Sequence, residues 1–188
     1  MQNTATEVKD ELEHVANFAI YYVGQMMKAF YEMDIFNPFK RSLYERLNIP
    51  EDAFRSFHEI CHKYGYVSET HKVVTEDGYI NVIHRINNAT YAKQKGYRPV
   101  IVMTHGILDS SDTWILNGKD KSPAFIAADA GYDVWLPNTR GNKYSNGHVF
   151  LDSRFDKDYW DHSFVEIAKY DLPAFVNYVK KYTQIPKD

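Results

Sequence analysis

Cysteine is almost missing from this sequence. Cys61 is the only one in 188 residues, so no disulfide can form within the chain and the redox compartment stays open. Excess positive charge is missing too. The net charge is -3 and no Lys/Arg-rich run occurs, which removes the electrostatic reason to expect a nucleic-acid partner. Internal repeats and low-complexity segments are absent, which excludes solenoids and biased tails. A secretory leader is not visible at the N-terminus: "EVKDELEH" is acidic on balance, and no A-x-A site follows it. An uninterrupted apolar run is missing as well. Asn17, Gln25, Lys28 and Glu32 break "VANFAIYYVGQMMKAFYEMDIF", whereas a spanning helix wants about 20 mostly apolar residues.

What remains is a globular composition, 44% hydrophobic and 25% charged, with aromatics at 15%. That is enough for one domain with a proper core. Val15 to Phe36 is rich in apolar and aromatic side chains, and the expectation is a helix docking on a membrane surface or a partner protein, with a buried helix of the domain itself as the alternative. Residues 1–55 are therefore read as an N-terminal helical segment and residues 56–188 as the main domain. Pro38 and Pro50 break short helical turns that close at Gly65 as a C-cap.

"SFHEICHKYG" contains His58, Glu59 and His62 in the H-E-x-x-H spacing of zinc peptidases, with two imidazoles four residues apart on one helical face. The zinc subclass with glycine at the Gly65 offset takes a third ligand three residues later. Ser68 stands there, a poor zinc ligand, so the sequence implies no metal site. The same stretch reads as an ordinary helical turn carrying surface histidines. One N-x-[ST] tripeptide, Asn88-Ala89-Thr90, reads as a surface turn.

Downstream, "HKVVTEDGYINVIHRI" reads as a hairpin, with Asp77-Gly78 supplying the positive φ of the turn. "RPVIVMTHG" and "YDVWLPNTRG" read as strands buried on both faces. "SPAFIAADAG" is a helix with Ser122 as N-cap, Pro123 first and Gly131 beyond its end. "YDLPAFVNYVKKY" is a helix with Phe175, Val176, Val179 and Tyr182 on its apolar face and Asp171 as its cap. Strands alternating with helices give an α/β fold with parallel strands, and no linker follows Pro50.

Four blocks carry a resemblance: "VVTEDGYINVIHRI", "PVIVMTHGILDSSDTWI", "AFIAADAGYDVWLPNTRGNKYS" and "FVEIAKYDLPAFVNYV". In unbroken order over roughly Phe57 to Tyr182, they resemble the acid lipase family of α/β hydrolases. That family includes gastric and lysosomal acid lipases and membrane-bound steryl ester hydrolases. The resemblance implies an α/β-hydrolase fold truncated to the N-terminal half of its sheet and preceded by the apolar helical segment. It implies serine ester hydrolysis, with no cofactor. It also maps the family's oxyanion-hole loop onto His105, Gly106, Ile107 and Leu108, the backbone N–H of Ile107 being the donor.

The chemistry needs a serine at a G-x-S-x-G elbow, with an acid and a histidine later in the chain. None of Ser42, Ser56, Ser68, Ser110, Ser111, Ser122, Ser145, Ser153 and Ser163 lies in that pattern, so no catalytic residue is assigned. His84, His148 and His162 occupy no position the family uses for its base and read as surface or loop residues. In the family the elbow strand begins a few residues beyond the "DLPAFVNYVKKYTQ" helix. Without that strand "VIVMT" or "DVWL" is an exposed apolar edge, and a partner protein covering it is expected. Two functions follow: a non-catalytic accessory or structural subunit of a larger assembly, or the N-terminal part of an active serine lipase or steryl ester hydrolase completed by a C-terminal half.

Overall fold

The computed structural model describes Asp52, residues 55–92 and residues 98–183. The apolar segment from Val15 to Phe36, and with it the expected docking helix, lies outside the described residues. So do Pro38 and Pro50.

The elements run α1 (Phe57–Lys63), β1 (Tyr66–Val74), β2 (Tyr79–Asn88), α2 (Ala89–Ala92), β3 (Val100–Val102), α3 (Pro123–Asp129), β4 (Asp133–Asn138), β5 (Gly147–His148), α4 (Phe164–Glu166) and α5 (Leu172–Thr183). Two short 3-10 turns, Ser111–Trp114 and Lys157–Trp160, lie in the connections, and a π turn, Ile167–Asp171, joins α4 to α5. The strands form a mixed sheet in the order β1-β2-β4-β3, with β5 pairing on β2. β4 runs antiparallel to β2 and parallel to β3. The α/β class holds, while strict parallelism is confined to the β3–β4 pair. Among the described residues the chain divides into two compact units, one taking in the residues before Val73 together with Val82–Asn138, the other Val73–Asn81 and the residues from Thr139.

In the first of these, α1 opens with a full capping box. Ser56 Oγ accepts the Glu59 N–H at 3.3 Å, and Glu59 Oε2 accepts the Ser56 N–H at 2.7 Å. Phe57, Ile60 and Cys61, spaced three and four apart, form its buried face. Burial pushes the Cys61 thiol up to about 12, so it packs as a small hydrophobe.

All of β4 is buried. Its first residue, Asp133, is met by Arg85 in a two-pronged ion pair at 2.7 Å for each contact, and the Arg85 guanidinium lies 5.0 Å from the centre of the Trp135 ring. α3 packs on β4 and buries Ala124, Phe125 and Ala128. Phe125 stacks on Tyr66 with ring centres 4.3 Å apart. Pro123 sits in its first turn and Ser122 precedes it in extended conformation. The Ser122 hydroxyl does not cap the helix; it accepts the Asn117 N–H at 3.1 Å, bracing the loop before it.

One expected strand differs. β3 is only three residues long, and none of them is fully buried. Among the described residues it pairs with β4 alone, so its other edge and part of its faces stay open.

In the other unit, the β1–β2 turn closes with Thr75 donating its N–H to the Tyr79 carbonyl at 2.8 Å and Gly78 donating to the Thr75 carbonyl at 3.0 Å. Gly78 has φ +95°, and a Cβ there would sit 2.8 Å from Val149 Cγ2 and 2.9 Å from His148 Nε2. Only glycine meets both demands. β5 pairs on Tyr79 and Ile80, and Tyr79, Tyr159 and Trp160 form a buried aromatic cluster flanked by Leu151.

Asp171 is not the helix cap that its position suggested. It lies in the π turn with its side chain fully buried and is taken by Arg140. The π turn has a local cause. Pro173 has no N–H to give to the Lys169 carbonyl, and in a regular helix its ring would press against that group. Widening the turn, with the Leu172 N–H reaching the Ile167 carbonyl, relieves the conflict. In α5 Phe175 and Val179 are buried as the spacing implies, but Val176 and Tyr182 are exposed.

Arg140 is the buried cation of this unit, with its side chain fully enclosed. Its backbone N–H, Nε and Nη2 all donate to Asp171, at 2.9, 3.0 and 2.7 Å. Nη1 and Nη2 also donate to Asp77, at 2.7 and 3.0 Å. The guanidinium lies 3.8 Å from the centre of the Tyr79 ring. Burial alone would raise the Asp77 carboxyl, but the hydrogen bonds from Arg140 and Thr75 hold it below its ordinary 3.8.

Removing this cation strands a buried carboxylate, so Arg140→Met should cost about 3–5 kcal/mol in denaturant unfolding. Adding Asp171→Asn should recover part of the loss, because the second charge goes with the first. The lowered Asp77 pKa gives a signed pH effect. The folded form binds fewer protons than the unfolded one below pH 3.8, so this part of the stability is present above pH 3.8 and is lost as pH falls through the folded-state value. Unfolding midpoints measured across that acid range should fall less steeply for Asp77→Asn than for the unaltered protein.

Candidate functional site

Four residues nominated by resemblance, His105, Gly106, Ile107 and Leu108, follow directly on β3. The Met103 N–H still reaches the Trp135 carbonyl at 3.0 Å, so the ladder with β4 continues to the threshold of the loop. Beyond it the backbone turns sharply. Leu108 has φ +62°, the one non-glycine residue in the left-handed region among the described residues. That conformation costs a leucine about 1–2 kcal/mol, and such strain concentrates at functional sites.

Ile107 and Leu108 are 69% and 70% exposed, and a Cβ at Gly106 would meet nothing within 4 Å. Two large aliphatic side chains therefore stand in the open on a strained turn. Among the described residues no group accepts a hydrogen bond from the Ile107 or Leu108 N–H. His105 is half-buried, and its Nδ1 donates to the Gly106 carbonyl at 2.7 Å, which fixes the ring against its own loop.

The loop is pinned on its far side by a buried polar network that sequence reasoning missed. Asn138, the last residue of β4, accepts the Ser111 N–H on Oδ1 at 2.9 Å and donates from Nδ2 to Ser111 Oγ at 3.2 Å. His84 on β2 brings Nδ1 to 2.8 Å from the same hydroxyl. All three side chains are buried. Just before this, Ser110 Oγ accepts the Asp112 N–H at 3.4 Å and starts the 3-10 turn. So the ladder with β4 fixes one end of the loop, the Asn138 clamp fixes the other, and the strain falls on Leu108 between them.

His84 thus corrects the surface reading. It is 2% exposed and stacked on Phe57 with ring centres 4.0 Å apart. It is buried because β2 is flanked by β1 and β4, and its Nδ1 is met by the Ser111 hydroxyl. The clue was present: Asn138 is a polar residue closing an apolar strand, a place where an unpaired amide would be expensive. His148 and His162 are half-buried. His148 Nδ1 accepts the N–H groups of Phe150 and Leu151, both at 3.1 Å, while its Nε2 donates to the Asp77 carbonyl at the same distance. It holds a turn together.

Two of the three H-E-x-x-H residues are in other employment, and His62 is exposed in the last turn of α1. His58 Nδ1 lies 2.6 Å from Ser68 Oγ and Nε2 lies 2.7 Å from Thr70 Oγ1, so both ring nitrogens face hydroxyls on β1. Glu59 completes the capping box. Among the described residues no group of three or more His, Cys, Asp or Glu is placed to hold a metal ion.

Known proteins resemble this chain over much of its length. Residues 57–118 match the family described as a partial alpha/beta-hydrolase lipase region. The chain is 45% identical over 143 residues to Lipase 1 of Drosophila melanogaster, covering 76% of this chain and 31% of that protein. It is 46% identical over 124 residues to human gastric triacylglycerol lipase, covering 64% and 30%. To human lipase member J it is 43% identical over 132 residues, covering 67% and 35%. The chain belongs to the α/β-hydrolase lipases and carries an N-terminal portion of the acid lipase type. It spans about a third of the length of the curated relatives it matches.

The clamp can be tested without any assay of activity. Asn138→Ala leaves the Ser111 N–H buried and unpaired, so stability should fall by about 1–3 kcal/mol in chemical denaturation. Hydrogen exchange at Ser111 should quicken at the same time. An unchanged exchange rate would show that the loop is held by something else.

Proposed function

We propose that these residues supply the oxyanion side of a serine ester hydrolase of the acid lipase type, acting on lipid esters. The observation that carries this is the strained turn at Leu108, with Ile107 exposed and its N–H given no acceptor among the described residues, a few residues beyond β3. Attack on an ester carbonyl builds negative charge on its oxygen, and a fixed N–H already stripped of other partners stabilises that charge without reorganising. The clamp through Asn138, Ser111 and His84 keeps the donor in place. The nucleophile, its base and the acid belong to residues outside these 188, because no G-x-S-x-G occurs among them. In this reading the open edge of β3 is where the serine-bearing strand pairs, and the partner expected from the sequence is the complementary half of the hydrolase. The segment from Val15 to Phe36 brings the protein to a lipid surface.

The missing elbow favours a second reading, in which this chain is a non-catalytic accessory subunit and the loop is an unused relic. The two separate experimentally. The 188-residue chain alone should take no label from a fluorophosphonate probe. Combined with the complementary half bearing G-x-S-x-G, it should restore ester turnover, with the labelled serine on that half. Replacing Ile107 by proline removes the donor and should then lower kcat by about 100-fold or more with little change in KM. Absence of turnover in every reconstitution would leave the accessory reading standing, and labelling of a serine within residues 1–188 would defeat both.

A further inference from the structure

The hydrogen bonds of the buried clamp have a direction, and that direction fixes the chemical state of His84. Asn138 Oδ1 accepts the Ser111 N–H, so the other amide atom, Nδ2, is the donor to Ser111 Oγ. An amide nitrogen cannot accept, so the Ser111 hydroxyl proton needs a different partner. Ser111 is fully buried, and among the described residues the acceptor for that proton is His84 Nδ1, 2.8 Å away. The bonds therefore run from Asn138 through Ser111 to His84. Nδ1 carries the lone pair, and the ring proton belongs on Nε2. The opposite tautomer would aim a second N–H at Ser111 Oγ and leave a buried hydroxyl proton without an acceptor.

Charging the ring does the same and adds a second cost. An imidazolium donates from both nitrogens, so Nδ1 turns from acceptor to donor toward Ser111. Its charge would also have to be held at 2% exposure. Phe57 stacks on the ring, His58 of the same helix meets it edge-on with centres 5.5 Å apart, and Leu136 lies opposite on β4. Attraction of a cation to the Phe57 face offsets only part of the lost hydration. The titratable groups on this side of the sheet are His58 and Cys61 on α1, Asp112 next to Ser111, and His105 in the loop itself. Burial keeps Cys61 a neutral thiol by pushing it up to about 12. Asp112 favours a charged ring; the Ser111 hydroxyl, which needs an acceptor, favours a neutral one.

We propose that His84 is a positioning residue for the loop from His105 to Leu108: its neutral, Nε2-protonated ring anchors the clamp by accepting from Ser111, and a proton taken from water onto Nδ1 releases it. The proposal rests on the reading of that loop as the oxyanion side of an esterase, and it adds a pH below which the donor is no longer held.

The test is NMR of the full 188-residue chain labelled with nitrogen-15. At neutral pH the His84 ring should show a protonated Nε2 and a bare Nδ1. As pH falls, Nδ1 should protonate below the ordinary histidine value of about 6.5. With the same midpoint, protection of the Ser111 N–H against exchange should drop by about tenfold, the worth of roughly one hydrogen bond, and the Ile107 N–H signal should shift. His84→Gln offers an amide oxygen to Ser111 and does not titrate, so it should keep the protection and lose the pH dependence. His84→Leu should lower protection at every pH. None of these readouts uses ester turnover, so failure of the esterase reading leaves them standing, and their failure leaves that reading standing. A His84 ring protonated on Nδ1 at neutral pH would overturn the proposal. So would Ser111 protection that ignores the His84 titration, or a pH dependence that survives His84→Gln and so belongs to His105 or another group.

Discussion

Everything around β4 follows from its having no exposed face. Six consecutive residues, Asp133 to Asn138, are buried, and β2 and β3 occupy its two edges. A strand so placed can carry polar side chains only if each is answered inside the protein. Asp133 at its start is answered by Arg85, and Asn138 at its end by Ser111, whose hydroxyl also meets His84. Apolar side chains between them, Val134, Trp135 and Leu136, supply the core against which α3 packs. The two polar ends thus fix the register of the strand, and each ties it to a different part of the chain.

The second of those ties gives the site its rigidity. A loop leaving β3 with a left-handed leucine would relax if either end were loose. The clamp on Ser111 prevents relaxation on one side, and the Met103–Trp135 ladder bond prevents it on the other. Strain at Leu108 is thereby sustained by hydrogen bonds that a solvent-exposed loop could not keep. What results is a backbone N–H with no partner among the described residues, beyond the end of a parallel strand where sheets of this class place their chemistry. The side chains of Ile107 and Leu108 stand exposed beside it.

The hairpin, α1, α3, β4 and α5 were legible in the sequence because each is written in local chemistry: Asp77-Gly78 at the turn, Gly65 at a helix C-cap, Pro123 inside a helix start, Phe175 and Val179 at helical spacing. The loop from His105 to Leu108 was nominated only through resemblance. His105-Gly106 alone says no more than that a strand ends. Other features depend on distant residues and left no local mark. Asp171 reads as a cap until Arg140, 31 positions away, takes its carboxylate. His84 reads as a surface residue until β1 and β4 close over it. The length of β3 was misjudged for a related reason: an apolar run shows what a strand could bury, and burial is decided by which neighbours pair with it. H-E-x-x-H is the reverse case, a strong local pattern emptied by the hydroxyls of Ser68 and Thr70 on the adjoining strand.

β3 shows how the same physics bears on the proposed function. It is a parallel strand, and parallel strands are ordinarily covered on both faces and paired on both edges. Here one edge is paired with β4, and Val102 on the strand is 39% exposed. An open apolar edge invites another strand, because its N–H and C=O groups are already aligned for pairing. The proposed oxyanion donor follows the same strand a few residues later. In the proposed reading, a strand added to that edge runs beside β3 and ends near Ile107, which brings a serine at its tip towards the donor. Pairing of the edge and completion of the site are then a single event.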